Sequence, residues 1–260
     1  MSEGKKMLEI LVTNDDGVHA KGLHELIEVA REFGNVVVAA PAEGNSGMSH
    51  AITVKYPLRA EKVKQENGFV MYQCWGTPVD CIKLAFNRFL TKPPDILLSG
   101  INHGSNSSTS IFYSGTMAAA IEGKLYGVPS IGFSLLDYHY DADFSTAKKF
   151  ARKIIGGIVN QKALNGICLN VNIPAVQPND IQGIKICRQT MGHWIEEFEH
   201  RKDPHGRDYY WLTGEFLNKE PEADDTDEWA LKNNYVAVVP VQLDFTCYHS
   251  KNELEKIKFS

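Results

Sequence analysis

The stretch MLEILVTNDDG, residues 7–17, predicts a β-strand that ends in a tight polar turn. The apolar residues Leu8, Ile10, Leu11 and Val12 give way abruptly to Asn-Asp-Asp-Gly, and apolar residues then recur at helical spacing through residues 20–33. Two adjacent carboxylates, Asp15 and Asp16, therefore follow the carboxyl end of the first strand. Ligands bind at this edge in open α/β sheets, so the turn is the first candidate site.

Strand and helix patterns continue to alternate along the chain. Residues 36–40 read VVVAA, a continuous apolar run typical of a strand that is buried on both faces of a parallel sheet. Further strands are predicted at residues 95–100, 128–134 and 167–171, and helices from residue 77, from residue 116 and over residues 145–158. This alternation predicts an α/β fold with a mostly parallel sheet and helices on both faces.

The last third of the chain predicts a smaller, β-rich C-terminal extension. We expect residues 1–175 to form the main α/β region and residues 176–260 to add a hairpin and a polar tail within one integrated domain. Extra strands also fit residues 50–73, with a turn at residues 66–68. The acidic segment at residues 215–228 predicts a solvated loop.

Two features of the extension suggest where its last strand lies in the sheet and what its aromatic residues contact. Residues 235–241 read YVAVVPV and predict a late strand, in which Pro240 suits an edge position because proline cannot donate a ladder hydrogen bond. Tyr209, Tyr210 and Trp211 suit either a dimer contact or a local aromatic cluster.

Composition and charge argue against several classes of protein. The chain has 260 residues, a formal net charge of −5 and no run near the roughly 18 apolar residues that a membrane span needs. A pI near 6.0 gives no basic footprint for nucleic acid. The five cysteines are scattered and never spaced CxxC, which argues against a disulfide framework and a zinc site. We expect a cytoplasmic protein with no signal peptide, no nucleic-acid partner and no membrane association.

The adjacent carboxylates predict a divalent cation. Two carboxylates side by side raise each other's pKa unless positive charge lies between them. The alternative is that one of them caps the following helix while the other faces water. Ser46 lies in a small polar loop at the same sheet edge and could supply a hydroxyl to a metal or phosphate, although an ordinary loop serine fits this position too.

A second small-residue stretch predicts a phosphate site. It reads SGINHGSNSSTSIFYSGT over residues 99–116 and runs directly into a helix. The residues at the helix start are Ser114, Gly115 and Thr116. Backbone N–H groups and hydroxyls at such a start favour an anion, although Ser114 or Thr116 also suits a plain N-cap. Asn102 and Asn106 offer neutral amide oxygens that accompany carboxylates around Mg²⁺ or Mn²⁺.

Together these motifs resemble those of the SurE family, the survival proteins that act as metal-dependent 5′/3′-nucleotidases. The matching pieces cover nearly the whole chain and include ILVTNDDG at 10–17, AP(x)₄SG at 40–47, GTPVDCIKLA at 76–85, SGINHGSN at 99–106, YSGTMAAAIEG at 113–123 and LNVNIP at 169–174. The resemblance implies a Rossmann-like three-layer sandwich with a catalytic region in residues 1–175. It also implies an extension used in dimer or tetramer assembly, so a homodimer or homotetramer is expected.

The resemblance also implies roles for individual residues. One divalent metal ion, Mg²⁺ or Mn²⁺, would be held by Asp15, Asp16, Ser46 and Asn102. The phosphate would be cradled by Asn106, Ser114, Gly115 and Thr116. The expected catalytic residues are Asp15, Asp16 and Asn106. The chain departs from the family pattern at Ser107 and Ser108, where a Leu-Gly pair is expected, and at Ser110, where an aspartate is expected.

The implied reaction is hydrolysis of nucleoside 5′- and 3′-monophosphates to nucleoside and phosphate. His103 or the free face of either aspartate is a candidate for proton transfer. A second hypothesis makes Asp15 the nucleophile of an aspartyl-phosphate intermediate. A rival of another class is a non-catalytic phospho-receiver or nucleotide-binding module, although the lysine that a receiver needs after a late strand has no clear candidate.

Overall fold

The computed structural model describes residues 7–159 and 166–259. Within them, nine strands form one central sheet, and four more form two small antiparallel ribbons. The strands are β1 (Leu8–Thr13), β2 (Gly34–Pro41), β3 (Arg59–Glu66), β4 (Phe69–Trp75), β5 (Ile96–His103), β6 (Ser130–Leu135), β7 (Cys168–Ile173), β8 (Gly183–Ile186), β9 (Gly192–Ile195), β10 (Phe198–Lys202), β11 (Asp208–Leu212), β12 (Glu215–Asn218) and β13 (Tyr235–Pro240). The α-helices are α1 (Lys21–Arg31), α2 (Pro78–Leu84), α3 (Gly115–Leu125), α4 (Ser145–Val159), α5 (Asp227–Lys232) and α6 (Tyr248–Leu254). A π-helical turn (Ala85–Phe89) and a 3₁₀ turn (Ser108–Phe112) complete the elements.

The strand order of the sheet places a topological switch point beside β1. The order is β3-β4-β2-β1-β5-β6-β7-β13-β8. The strands from β4 to β7 are parallel, whereas β3 and β13 run antiparallel to their inner neighbours. The chain moves outward from β1 through β2 to β4, and then from β5 through β6 to β7 in the opposite direction. Because α/β sheets bind ligands where this direction reverses, the carboxyl ends of β1 and β5 are the expected site.

Helices cover both faces of the sheet and make three layers. Ile10 and Val12 of β1 pack into a core with α1 and α4, whereas Leu11 packs into a second core with α2 and α3. Alternate residues of one strand therefore enter different cores, which explains why Ile10, Leu11 and Val12 are all apolar. The α/β fold with a mostly parallel sheet and a β-rich addition is confirmed.

Two strands of the extension complete the main sheet, and this makes one sequence prediction wrong. β13 is an interior strand between β7 and β8, so Pro240 does not lie on an edge strand. β8 pairs with β13 only from Tyr235 to Val238. Among the described strands, none lies beside Pro240 on that side, and the missing N–H therefore leaves no ladder bond broken.

Two further predictions need correction. Within residues 50–73 the turn at residues 66–68 is confirmed between β3 and β4, but the part before Arg59 forms no strand among the described residues. The acidic segment at residues 215–228 is not one solvated loop. It begins as β12 and ends in α5, whose first residue, Asp227, is fully buried.

The tail after β13 has little contact with the rest of the chain. α6 has no buried residue, and Phe245 and Phe259 are 83% and 81% exposed. In the part of the chain that the structure describes, no helix combines the length and the apolar character needed to cross a bilayer.

Substitution of Leu98 tests how tightly strand β5 is packed. Leu98 is fully buried in β5, and Leu98→Ala is expected to lower the free energy of unfolding by about 3 kcal/mol, since truncation leaves a cavity. Urea unfolding followed by circular dichroism measures this. Leu125→Ala, at a position that is 59% exposed in α3, is the matched control and should change stability by less than about 0.5 kcal/mol. Equal effects of the two changes would contradict the assignment of this core.

Candidate active site

The turn after β1 presents both carboxylates at the sheet edge. The N–H of Asn45, in the loop after β2, donates to the carbonyl oxygen of Asp15 at 2.7 Å, and the N–H of Val18 donates to that of Pro41 at 2.7 Å. These bonds tie the loops after two neighbouring strands together. The N-cap of α1 is Ala20, which makes no side-chain capping bond. Neither aspartate caps this helix, so the alternative raised from the sequence does not hold.

Both carboxylates lie in surroundings that disfavour negative charge. Asp15 is 3% exposed, and burial, followed by the neighbouring charge of Asp16, raises its pKa from the usual 3.8 to about 6. Burial also raises the pKa of Asp16, although its carboxylate accepts the backbone N–H of His103 at 3.4 Å. No Lys, Arg or His side chain of the described residues contributes a compensating charge to either group. The pair therefore lacks a counter-charge.

The start of α3 packs directly against Asp15. Thr116 is fully buried and donates its hydroxyl to Oδ1 of Asp15, although the two residues lie 101 positions apart. A Cβ atom added to Gly115 would lie 2.7 Å from Cβ and 2.9 Å from Oδ2 of Asp15, closer than side chains approach, so only glycine fits beside this carboxylate. The predicted phosphate turn and the predicted metal turn thus form one site.

The end of β5 brings Asn102 to the same edge. Its amide N–H groups donate to the carbonyl oxygens of His103 at 3.1 Å and of Gly104 at 2.9 Å, which leaves Oδ1 as the acceptor of this side chain. The pairing of β5 with β6 shifts between Ser99 and Asn102. Gly100 lies in this shift with φ +122°, and a Cβ there would meet a β6 carbonyl oxygen at 2.4 Å. The irregularity redirects the strand end, as bulges beside active sites do.

Ser46 lies in a loop that is anchored on both sides of it. Asn45 binds the carbonyl of Asp15, and the N–H of Ser49 donates to the carbonyl oxygen of Tyr113 at 3.2 Å. Ser46 itself is exposed, and its hydroxyl makes no hydrogen bond among the described residues. The structure therefore holds the loop of this serine against the turn that carries the carboxylates, while the hydroxyl stays unused by the described residues.

A buried polar network holds Asn106. Its backbone N–H donates to Oδ1 of Asn172 at 2.8 Å, and its carbonyl accepts from Nδ2 of Asn170 at 2.7 Å. Its own Nδ2 donates to Oγ of Ser134 at 2.8 Å. Asn106 is 6% exposed, so both its backbone and its amide plane are set by the ends of β6 and β7.

The turn that precedes α3 has the features of an anion site. Ser114 is the N-cap, and its Oγ accepts the N–H of Met117 at 3.1 Å, which confirms the capping role considered for it. The N–H groups of Gly115 and Thr116 belong to the first turn and have no carbonyl partner within the helix. The Thr116 hydroxyl donates to Asp15, and its backbone N–H also interacts with that carboxylate and lowers its pKa, so a phosphate contact by Thr116 stays a prediction.

His103 has an unsatisfied ring nitrogen. Its Nδ1 is buried without a hydrogen-bond partner among the described residues, and its ring meets Phe144 edge-on at 5.1 Å between centroids. The structure thus places this histidine beside the site, and its role in proton transfer stays a prediction.

Sequence reasoning missed several of these supporting residues. Asn170 and Asn172 alternate in LNVNIP, and this two-residue period places them on one face of β7, a signal that was present in the sequence. Ser134 had no such signal. Asp227 and Thr190 also had none, because they reach the loop after β5 only through the folded extension.

The residues of this site fit a divalent cation. Two carboxylates, the Asn102 amide oxygen and the Ser46 hydroxyl form an all-oxygen donor set, which hard cations prefer. Within the described residues there is no cluster of three or more His, Cys, Asp or Glu side chains, so neutral oxygens would complete the coordination. In the same turn, Oδ1 of Asn14 is buried and has no hydrogen-bond partner in the described chain. A cation would supply the charge that this turn lacks.

The raised pKa of Asp15 predicts a pH dependence of stability. Between pH 3.8 and about 6 the folded state binds a proton that the unfolded state has lost. The metal-free protein should therefore lose about 3 kcal/mol of stability as pH rises through this window, and the loss should persist above it. The measurement is urea unfolding in chelator at about pH 4.5 and pH 7, between which about 2 kcal/mol of this loss falls. Asp15→Asn should lack this loss, and parallel pH profiles of the two proteins would refute the assignment.

Comparison with protein-family models identifies the matching family. The model described as "Survival protein SurE" matches residues 10–196. The 5′-nucleotidase SurE of Flavobacterium psychrophilum is 52% identical over 242 residues, which cover 93% of this chain and 94% of that protein. The protein of the same name from Christiangramia forsetii is 51% identical, with 96% of each chain covered.

A solved structure agrees with these sequence matches. The crystal structure of the SurE protein from Aquifex aeolicus superimposes with a TM-score of 0.81 at 36% identity. The alignment covers 95% of this chain and 98% of that one. With a family model that matches most of its length and relatives about half identical to it, this chain belongs to the SurE family.

Proposed function

We propose that this protein is a phosphomonoesterase that hydrolyses nucleoside 5′- and 3′-monophosphates to nucleoside and phosphate with the help of one divalent cation, Mg²⁺ or Mn²⁺. The observation that carries the proposal is the pair of the buried Asp15 and the half-buried Asp16, without counter-charge, with Asp15 packed against the Gly115–Thr116 helix start. A cation site and an anion site in contact suit a metal-dependent phosphatase. The relatives named 5′-nucleotidase support the substrate class.

The proposed roles follow the geometry of the site. Asp15, Asp16, Ser46 and Asn102 would hold the cation, which supplies positive charge to neutralise the phosphate and activate water. Asn106, Ser114, Gly115 and Thr116 would bind the phosphate oxygens and stabilise the charge that develops on them. Thr116 holds Asp15 in place through its hydroxyl.

We also propose how the parts of the chain share this work. Residues 1–175 supply the chemistry, and residues 176–260 form the extension through which a homodimer or homotetramer assembles. The exposed aromatic side chains Phe198, Tyr210 and Trp211 on the β10–β11 ribbon support an assembly role for this part. We propose a cytoplasmic location with no nucleic-acid or membrane partner.

The test is phosphate release from a panel of 5′- and 3′-nucleoside monophosphates with Mg²⁺, Mn²⁺ or a chelator. Release that requires a divalent cation is the expected result, and the panel ranks the substrates. Nucleotide binding without release under any cation would overturn the proposal and leave the non-catalytic binding module. Acid quenching of a single turnover tests Asp15 as nucleophile, since only that route leaves the phosphate covalently bound to the protein before water releases it.

A further inference from the structure

We infer that Asp227, at the start of α5 in the extension, is a positioning residue that clamps the loop carrying Asn106 and so sets the affinity of the site for phosphate. The inference rests on the proposed phosphate role of Asn106. Asp227 lies 119 positions from Ser108 in sequence, yet the two are in direct contact. This contact joins the extension to the main α/β region.

The carboxylate of Asp227 is a buried hub of donors. Oδ2 accepts the backbone N–H of Ser108 at 2.8 Å, and Oδ1 accepts the N–H of Thr190 and that of Glu228, each at 2.9 Å. The hydroxyl of Thr190 donates to Oδ1 as well. Asp227 is fully buried and forms no ion pair with the described residues. Within the described residues, only hydrogen bonds stabilise this carboxylate. Because hydrogen bonds are directional, the carboxylate fixes the positions of the groups that donate to it.

Ser108 needs this support because of its backbone. Its φ is +51°, in the left-handed region that favours glycine, and the family pattern noted above has glycine at this position. The Ser108 hydroxyl donates to the carbonyl oxygen of Thr190 at 2.9 Å, so its side chain is used in the same contact. In this chain the bonds to Asp227 and Thr190 offset a conformation that serine adopts at a cost.

Further contacts hold Asn106 itself and the residue that follows it. Oε1 of Glu228 accepts the hydroxyl of Ser107, while Asn170 and Asn172 bind the backbone of Asn106. The residue after Asn106 and the next one are thus held by α5, whereas Asn106 itself is held by β7. Loss of the α5 contacts would leave one side of the loop without its anchor.

The decisive variant is Asp227→Asn. Its amide nitrogen cannot accept the Ser108 N–H, and the flipped amide would face two N–H donors at the other oxygen position. We expect the affinity for inorganic phosphate to fall about tenfold or more, as measured by titration calorimetry with Mg²⁺ present. The kcat/KM for hydrolysis of a nucleoside monophosphate should fall by about 10- to 100-fold. Affinity for Mn²⁺, measured by electron paramagnetic resonance, should stay within about twofold because no cation ligand is touched.

Two further variants keep the test decisive. Asp225→Asn makes the same chemical change two positions away, on an exposed carboxylate paired with Arg188, and should leave phosphate affinity within about twofold. If Asp227→Asn fails to fold, Thr190→Val removes one donor to Asp227 with little change of shape and should weaken phosphate binding about fivefold.

The outcomes separate this inference from the proposed function. Unchanged phosphate affinity in folded Asp227→Asn, or in Thr190→Val, would overturn the clamp. Equal losses of phosphate and Mn²⁺ affinity would also overturn it, since they would indicate general damage to the fold. A wild type that binds phosphate but releases none from nucleotides would overturn the proposed hydrolysis alone, while phosphate binding still tests the clamp. A wild type that binds no phosphate would overturn the clamp, whereas phosphate release from nucleotides would still decide the proposed hydrolysis.

Discussion

Asp15→Asn is expected to reduce metal-dependent phosphate release by about 10³-fold or more. Asp15 is the most deeply buried carboxylate of the site, and it is held by Thr116 on one oxygen. The substitution keeps the shape of the side chain but removes one of two negative charges that would hold the cation. The measurement is the steady-state rate on a nucleoside monophosphate over a series of Mg²⁺ and Mn²⁺ concentrations.

The same variant has a readout that does not depend on activity. A saturating divalent cation should stabilise the wild type by about 3 kcal/mol at 100 times its dissociation constant, and should stabilise Asp15→Asn far less. Asp180→Asn, on an exposed loop, is the matched control and should behave as the wild type. Full cation-dependent activity in Asp15→Asn would remove this carboxylate from the proposed metal site.

Gly115→Ala is expected to lower kcat/KM by about 100-fold while the protein remains folded. The added Cβ would lie 2.7 Å from Cβ of Asp15, so either the carboxylate or the start of α3 must shift. A displacement of about 1 Å is enough to cost two orders of magnitude in rate. Thermal unfolding and steady-state kinetics on the same preparation separate the loss of activity from loss of structure.

Gly157→Ala is the matched control for this change. Gly157 is an exposed residue of α4, and a Cβ there would meet nothing within 4 Å. Alanine in a helix is favoured over glycine by about 1 kcal/mol, so this variant should be slightly more stable and equally active. If Gly115→Ala were as active as Gly157→Ala, the close packing of α3 on Asp15 would not matter for the reaction.

Asp15 and Gly115 are the two partners of a single contact. Asp15 comes from the turn after β1, and Gly115 comes from a helix start about a hundred residues later. Each turn alone offers a common structural explanation, a helix cap or a loop. In the folded chain Ala20, and neither aspartate, is the N-cap of α1. The contact with Asp15 explains why glycine, which has no side chain, occupies position 115.

Features that depend on neighbouring residues could be predicted from the order of amino acids alone. The apolar residues 10–12, the turn with Asp15 and Asp16, and the small-residue helix start at Ser114 are all local patterns. Short-range spacing sets strand, turn and helix, and alternation of these elements determines a parallel sheet. Because parallel strands present their carboxyl ends at one edge, the placement of the candidate site followed from the same patterns.

Contacts between segments that are distant in sequence could be found only in the folded chain. Strand order placed β13 inside the sheet and so overruled the edge position inferred from Pro240. The hydroxyl of Thr116 turned out to hold Asp15, and the acidic end of the predicted solvated loop, Asp227, is buried against Ser108. These contacts depend on how the layers pack, and no local spacing encodes a hydrogen bond between residues 119 positions apart.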